Sequence, residues 1–179
     1  MTLNDLIRRL DNVLQGIERD GERQVAIAGG DIAALGTKRV IEQGKTADGG
    51  RFTPYSRKQI PAFFYVGKSR RGSADNEVKR KARKKETLSY SDFRQLNGLN
   101  VTFKNFEFTG SMWRNFRVLK VQRTGYKFTA VLGGAVPLEQ NKINWLSAQE
   151  GRSIIEPSEA ELKVVTDNLN KWLNGLFNG

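Results

Sequence analysis

Neither cysteine nor histidine occurs anywhere in this chain. Without cysteine there is no disulfide framework, no thiolate nucleophile and no thiolate metal site. Without histidine the usual general base near neutral pH and the commonest metal ligand are both missing. That excludes Ser-His-Asp triads, HEXXH-type zinc sites, HNH-type nucleases and histidine phosphotransfer. A metal would have to rely on carboxylates, and Asp48, Asp92, Glu107, Glu139 and Glu150 show no recognisable spacing. Catalytic residues, metal ligands and cofactors are therefore all expected to be none, and the chain is not expected to be an enzyme. Long apolar runs are missing too: clusters such as Ala62 to Val66 are far too short to span a membrane. The opening Met1-Thr2-Leu3-Asn4-Asp5-Leu6 lacks the basic-then-apolar layout of a signal peptide, so a cytosolic origin and no membrane partner are expected.

What the chain does have is basic charge. Its 179 residues carry 30 Lys and Arg against 19 Asp and Glu, a net charge of +11. The surplus is concentrated. Lys68, Arg70, Arg71, Lys79, Arg80, Lys81, Arg83, Lys84 and Lys85 meet only Asp75 and Glu77 between 68 and 85, nine against two, or +7. Such a block reads either as a solvated mobile face or as a surface for nucleic acid or an acidic protein. Hydrophobic residues make up 38% and mean hydropathy is −0.54. One domain over 1–179 is expected, with a modest core and much surface given to loops or partners.

Along the chain, Leu3, Leu6, Ile7, Leu10, Val13, Leu14 and Ile17 recur at helical spacing. Thr2 is placed to cap that helix, with Asp5 three residues on. Asp20-Gly21 is expected to break it. A second helix from Glu22 to about Gln43 is rich in small residues that would allow close approach of another backbone, and Gly44 would stop it. The loop region 45–87 follows. Within it Asp48-Gly49-Gly50 requires a positive φ, and 57–87 is expected to be irregular and mobile, apart from a short charged helix near Asn76 to Lys85. Ser89 to Leu96 suggests a helical turn closed by Asn97-Gly98. Val101 to Phe108 alternates like an extended segment. Arg114 to Arg123 and Tyr126 to Leu132 read as a hairpin around Thr124-Gly125. Val136 to Ala148 is expected to be a helix anchored by Trp145 and Leu146. A Ser158-x-x-Glu161 capping box opens a last helix with Leu162, Val165, Leu169, Trp172 and Leu176 on one face. The layout predicts an α+β fold: N-terminal helices, a small antiparallel sheet, a long irregular basic loop and a C-terminal amphipathic helix.

Phe63-Phe64-Tyr65, Phe103, Phe106 and Phe108 read as core or interface aromatics, although stacking on bases is an alternative. Trp113, Trp145 and Trp172 read as core or subunit contacts. Gly133-Gly134 matches no phosphate-loop pattern. Asp48 reads as a turn residue before a metal ligand.

Three short stretches together resemble a family. Asp48-Gly49-Gly50-Arg51-Phe52-Thr53-Pro54-Tyr55-Ser56, then Thr109-Gly110-Ser111-Met112, then Glu150-Gly151-Arg152 with Pro157 are similar, in order and flanks, to the neck or tail-completion (virion morphogenesis) proteins of tailed bacteriophages. The family commonly has a Trp before the loop proline where this chain has Phe52, and the basic insertion 68–85 is longer than usual. The resemblance implies a structural virion protein, assembled in the host cytoplasm and located at the neck or tail. It would be a homo-oligomeric ring at the head–tail junction, joining the portal-side connector to the tail. The loop residues Asp48, Gly49, Phe52, Pro54 and Tyr55 would then lie between subunits, and the basic block would meet non-specific DNA or an acidic partner. The alternative is a basic nucleic-acid-binding protein indifferent to sequence, and a carboxylate-metal nuclease ranks last.

Overall fold

The computed structural model describes residues 2–178 and is a mixed helix-and-strand fold, as expected. A 36-residue helix α1 (Leu3–Lys38) is its spine, about 54 Å long. Thr2 and Asp5 form the capping box at its start, with the Asp5 N–H donating to Thr2 Oγ1 at 3.2 Å. The helix does not break at Asp20-Gly21. It runs on because its glycines sit where neighbours press against the backbone. A Cβ on Gly16 would stand 2.7 Å from Leu176, one on Gly21 2.7 Å from the Phe128 ring, and one on Gly29 2.8 Å from Val118. The small-residue tract therefore allows close packing, as its composition suggested. One wider π turn, Arg39–Gln43, ends the helix at Gly44, whose φ of 62° is the left-handed stop.

Against α1 lie helix α6 (Glu159–Asn178) and an antiparallel hairpin of β3 (Phe116–Thr124) and β4 (Lys127–Gly134). The register pairs Phe116 with Gly134 and Thr124 with Lys127, with an irregularity between Val118 and Lys120. Helix α5 (Pro137–Glu150) packs on β4, and the single-turn helix α4 (Ser111–Arg114) packs on α5. Ala33, Val40, Phe52, Met112, Trp113, Phe116, Ile143 and Ile154 form the main core. The buried residue of α5 in that core is Ile143. Trp145, expected as an anchor, is 61% exposed, because the inward stripe of the helix runs through Glu139, Ile143 and Leu146. Ser158 and Glu161 make their capping box at the start of α6, and Val165 is buried beneath it, although Leu162 stays 43% exposed.

Two stretches differ from expectation. Val101 to Phe108 forms no strand, because its donors are taken elsewhere. The N–H groups of Asn105 and Phe106 donate to the Tyr55 hydroxyl, Glu107 N–H donates to Asn105 Oδ1, and Phe106 has φ 53°. The segment 57–87 is not an irregular loop. Strand β1 (Ile60–Pro61) pairs antiparallel with β2 (Thr87–Leu88), a 3₁₀ turn (Ala62–Tyr65) follows β1, and helix α2 (Gly72–Arg83) crosses between them. Helix α2 starts four residues earlier than the charges suggested and has an apolar side, Ala74 and Val78, both buried. With helix α3 (Tyr90–Leu96), this unit builds a second core of Ala62, Tyr65, Val78, Leu88 and Phe93.

Candidate nucleic-acid and partner surfaces

The loop that carries the first part of the resemblance folds onto the residues that carry the rest. Phe52 is buried and meets Phe106 edge-on at 4.8 Å, inside the core that also holds Met112 and Trp113. Thr53 donates from both its N–H and its hydroxyl to Glu150 Oε2 at 3.0 Å. The Arg152 guanidinium pairs with Asp48 at 3.0 Å. Residues that stand about a hundred positions apart are thus one structural joint. The Asp48 carboxyl is held below its usual range by the Thr46 hydroxyl and Gly50 N–H, then by Arg152. Burial pushes Glu150 up, but the Lys104 ammonium and the Thr53 donors outweigh it, and its pKa lies below the ordinary value.

Of the loop residues expected between subunits, Asp48, Gly49 and Pro54 are on the surface. Phe52 and Tyr55 are not: each is turned into this chain's own interior, which corrects their assignment to a neighbour's face. Tyr55 belongs to a buried junction that sequence reading missed. Arg94, 1% exposed, lies 3.9 Å over the Tyr55 ring and donates to Asn100 O at 3.2 Å, Glu107 O at 2.6 Å and Asn105 Oδ1 at 3.1 Å. Asn105 also accepts from the Tyr55 hydroxyl at 3.0 Å, and its carbonyl accepts from Trp113 Nε1 at 3.1 Å. The network ties the second core to the first. Burial raises the Tyr55 phenol above its ordinary pKa despite Arg94 beside it. In the sequence Arg94 looks like one more surface cation; its place between Tyr90, Phe93 and Leu96 was the only available signal.

A second missed clamp closes the main core. Arg39 pairs with Glu161 at 2.8 Å, both largely buried, and donates to Lys45 O at 2.6 Å and Glu156 O at 2.7 Å. It fastens the end of α1 to the loop and to the start of α6.

The basic block lies on α2 and its flanks. Three of its cations are paired locally: Lys79 with Asp75 at 2.6 Å, Arg80 with Glu77 at 2.6 Å, and Lys81 with Glu86 at 2.9 Å. Arg71 lies against Gly98, and the Arg70 N–H donates to Asn97 Oδ1 at 2.6 Å. Lys68, Arg83, Lys84 and Lys85 are exposed with no ion-pair partner among the described residues, and Lys85 turns the end of α2 at φ 58°. Phe63 and Phe64, 59% and 49% exposed, stack on each other at 4.2 Å on the adjoining 3₁₀ turn. The block thus meets solvent along the helix and on both of its flanks, and the cations at its C-terminal end also suit the helix dipole.

Among the described residues no group of three or more acidic side chains is placed to hold a metal ion, and no helix is long and apolar enough to cross a membrane. Searches for related proteins find no match to any family model, curated protein or solved structure.

Proposed function

We propose that the chain is a structural subunit of a tailed-phage virion that forms a homo-oligomeric ring at the head–tail junction. In this role it joins the portal-side connector to the tail. The observation that carries the reading is the number of apolar surfaces left open on different elements. Leu3, Leu6, Ile7, Leu10 and Leu14 are exposed on the first turns of α1, Phe63 and Phe64 on the 3₁₀ turn, and Leu138 and Trp145 on α5. Separate apolar surfaces on one chain suit partners on more than one side. A closed ring needs two different complementary patches per subunit, and further contacts above and below.

The second reading is a free, sequence-indifferent nucleic-acid-binding protein. It is favoured by the charge of the unit from 57 to 98, which holds twelve basic and four acidic residues, a surplus of eight out of the net +11. Mass photometry beside a mobility shift with random duplex DNA separates the two. Ring-sized particles that fall to monomers in Leu6→Asp/Leu10→Asp or Trp145→Asp support the ring. A strict monomer that binds DNA tightly and salt-sensitively overturns it.

A further inference from the structure

Positive charge is gathered in a second place. Between residues 108 and 138 there are five basic residues, Arg114, Arg117, Lys120, Arg123 and Lys127, and no acidic one. With the surplus of eight between 57 and 98, this accounts for more than the whole net charge, and the rest of the chain is negative by two. Residues paired across a hairpin share a face. The pairs Val118–Leu132 and Val121–Ala130 form the half-buried side, where Val118 and Ala130 meet α1 at Gly29. The opposite side carries Arg117, the bulge residue Leu119 packed over Gly133, the Lys120–Val131 pair, the Gln122–Thr129 pair and the Thr124–Lys127 pair. Helix α5 covers its Gly133 end through Gln140. Beyond that, Arg117, Lys120, Gln122, Thr124, Lys127 and Thr129 are all exposed. Arg117, Lys120 and Lys127 have no ion-pair partner among the described residues, whereas Arg123 is taken up by Glu18, Gly125 O and the Phe128 ring.

We propose that this outer face of the β3–β4 hairpin is a docking surface for the phosphate backbone of duplex nucleic acid, without reading of base sequence. Its composition selects among polyanions. Protein interfaces concentrate apolar and aromatic residues at their centres and are depleted in lysine, whereas nucleic-acid interfaces are polar and strongly positive. Here three cations alternate with the neutral donors Gln122, Thr124 and Thr129, the residue types that contact phosphate oxygens. The exposed ring beside it, Tyr126, stands at the turn and no row of rings follows it along the face to stack successive bases, so a duplex suits the face better than a single strand. From Arg117 to Lys127 the row extends about 20 Å at strand rise, the axial length of about six phosphates along one strand. The surface does not depend on assembly into a ring, and it is distinct from the cations of α2.

The test is fluorescence anisotropy of the full chain with a random duplex of about 30 base pairs, between about 50 and 200 mM salt. Against wild type, Arg117→Gln/Lys120→Gln/Lys127→Gln should make the slope of log affinity against log salt shallower by about 2.7. The loss of affinity across that salt range should be about fortyfold smaller. An unchanged slope overturns the proposal. So does equal competition by polyglutamate, which would point to an acidic protein, and so does tighter binding of a single strand. Should the triple variant not fold, acetylation footprinting of the unaltered protein decides. Protection of Lys120 and Lys127 by the duplex supports the surface, and unchanged labelling of both overturns it. Mass photometry of the same samples reads assembly separately.

Discussion

At the scale of single residues, two buried arginines hold this protein together, and each acts as a fork rather than as a point charge. Arg94 serves three acceptors and lies on the face of Tyr55. Arg94→Ala would leave buried acceptors unpaired and should cost about 3 kcal/mol in urea unfolding. Arg94→Lys should recover only part of that, because an ammonium cannot reproduce the planar fork. Tyr55→Phe removes one hydroxyl that accepts two N–H groups and donates once, and a loss of about 1–3 kcal/mol is expected. Titration gives a separate check. Burial raises the folded pKa of Tyr55, so its contribution is complete below the unfolded value, about 10, and is lost as pH climbs through the folded one. Stability should therefore fall in the alkaline range, and less steeply in Tyr55→Phe. Glu150 has the opposite sign. Its folded pKa is depressed, so its stabilisation is present above the ordinary value of 4.5 and disappears as pH drops through the folded one. Glu150→Gln should flatten the acid limb of a stability profile.

At the scale of elements, α1 shows how a local signal is overridden. Glycine inside a helix costs about 1 kcal/mol relative to alanine, so Asp20-Gly21 reads as a stop. The stop does not occur, because the Phe128 ring occupies the space that a side chain at 21 would need. Two substitutions on the same helix should then act in opposite directions. Gly30 faces open space, and Gly30→Ala should stabilise by about 0.5–1 kcal/mol. Gly21→Ala should destabilise by about 1–3 kcal/mol despite its better propensity, since the ring must move. Thermal unfolding of the pair, followed by circular dichroism, measures both signs. The reverse case is 101–108: a good extended pattern forms no ladder once Tyr55 and Asn105 take its N–H groups.

For the whole molecule, the surplus of cations and the longest open apolar stripe lie on different elements. The cations sit on the α2 unit and on the outer hairpin, while Leu3, Leu6, Ile7, Leu10 and Leu14 are open on the first turns of α1. This separation predicts that two kinds of substitution act independently. Leu6→Asp/Leu10→Asp should abolish self-assembly by mass photometry and leave the salt dependence of DNA binding intact. Glutamine at Arg83, Lys84 and Lys85 should lower that salt slope, also by about 2.7, with assembly unchanged.

Several features depend only on neighbours in the chain and were legible without the fold. They are the capping boxes at Thr2–Asp5 and Ser158–Glu161, the stop at Gly44, a positive φ within Asp48-Gly49-Gly50 and a hairpin around Thr124-Gly125. Each is set by backbone sterics or by hydrogen bonds three or four residues long. So are the mixed helix-and-strand class and the exclusion of histidine or thiolate chemistry, which follow from pattern and composition. Tertiary structure alone decided what distant residues do to one another. It kept α1 continuous through Gly21, gathered Phe52, Thr53, Glu150 and Arg152 into one joint, and gave the 57–98 unit a core of its own. It also buried Arg39 and Arg94 while leaving Trp145 exposed. An arginine reads as surface in any local window; only the convergence of backbone carbonyls from elsewhere in the chain makes its burial stable.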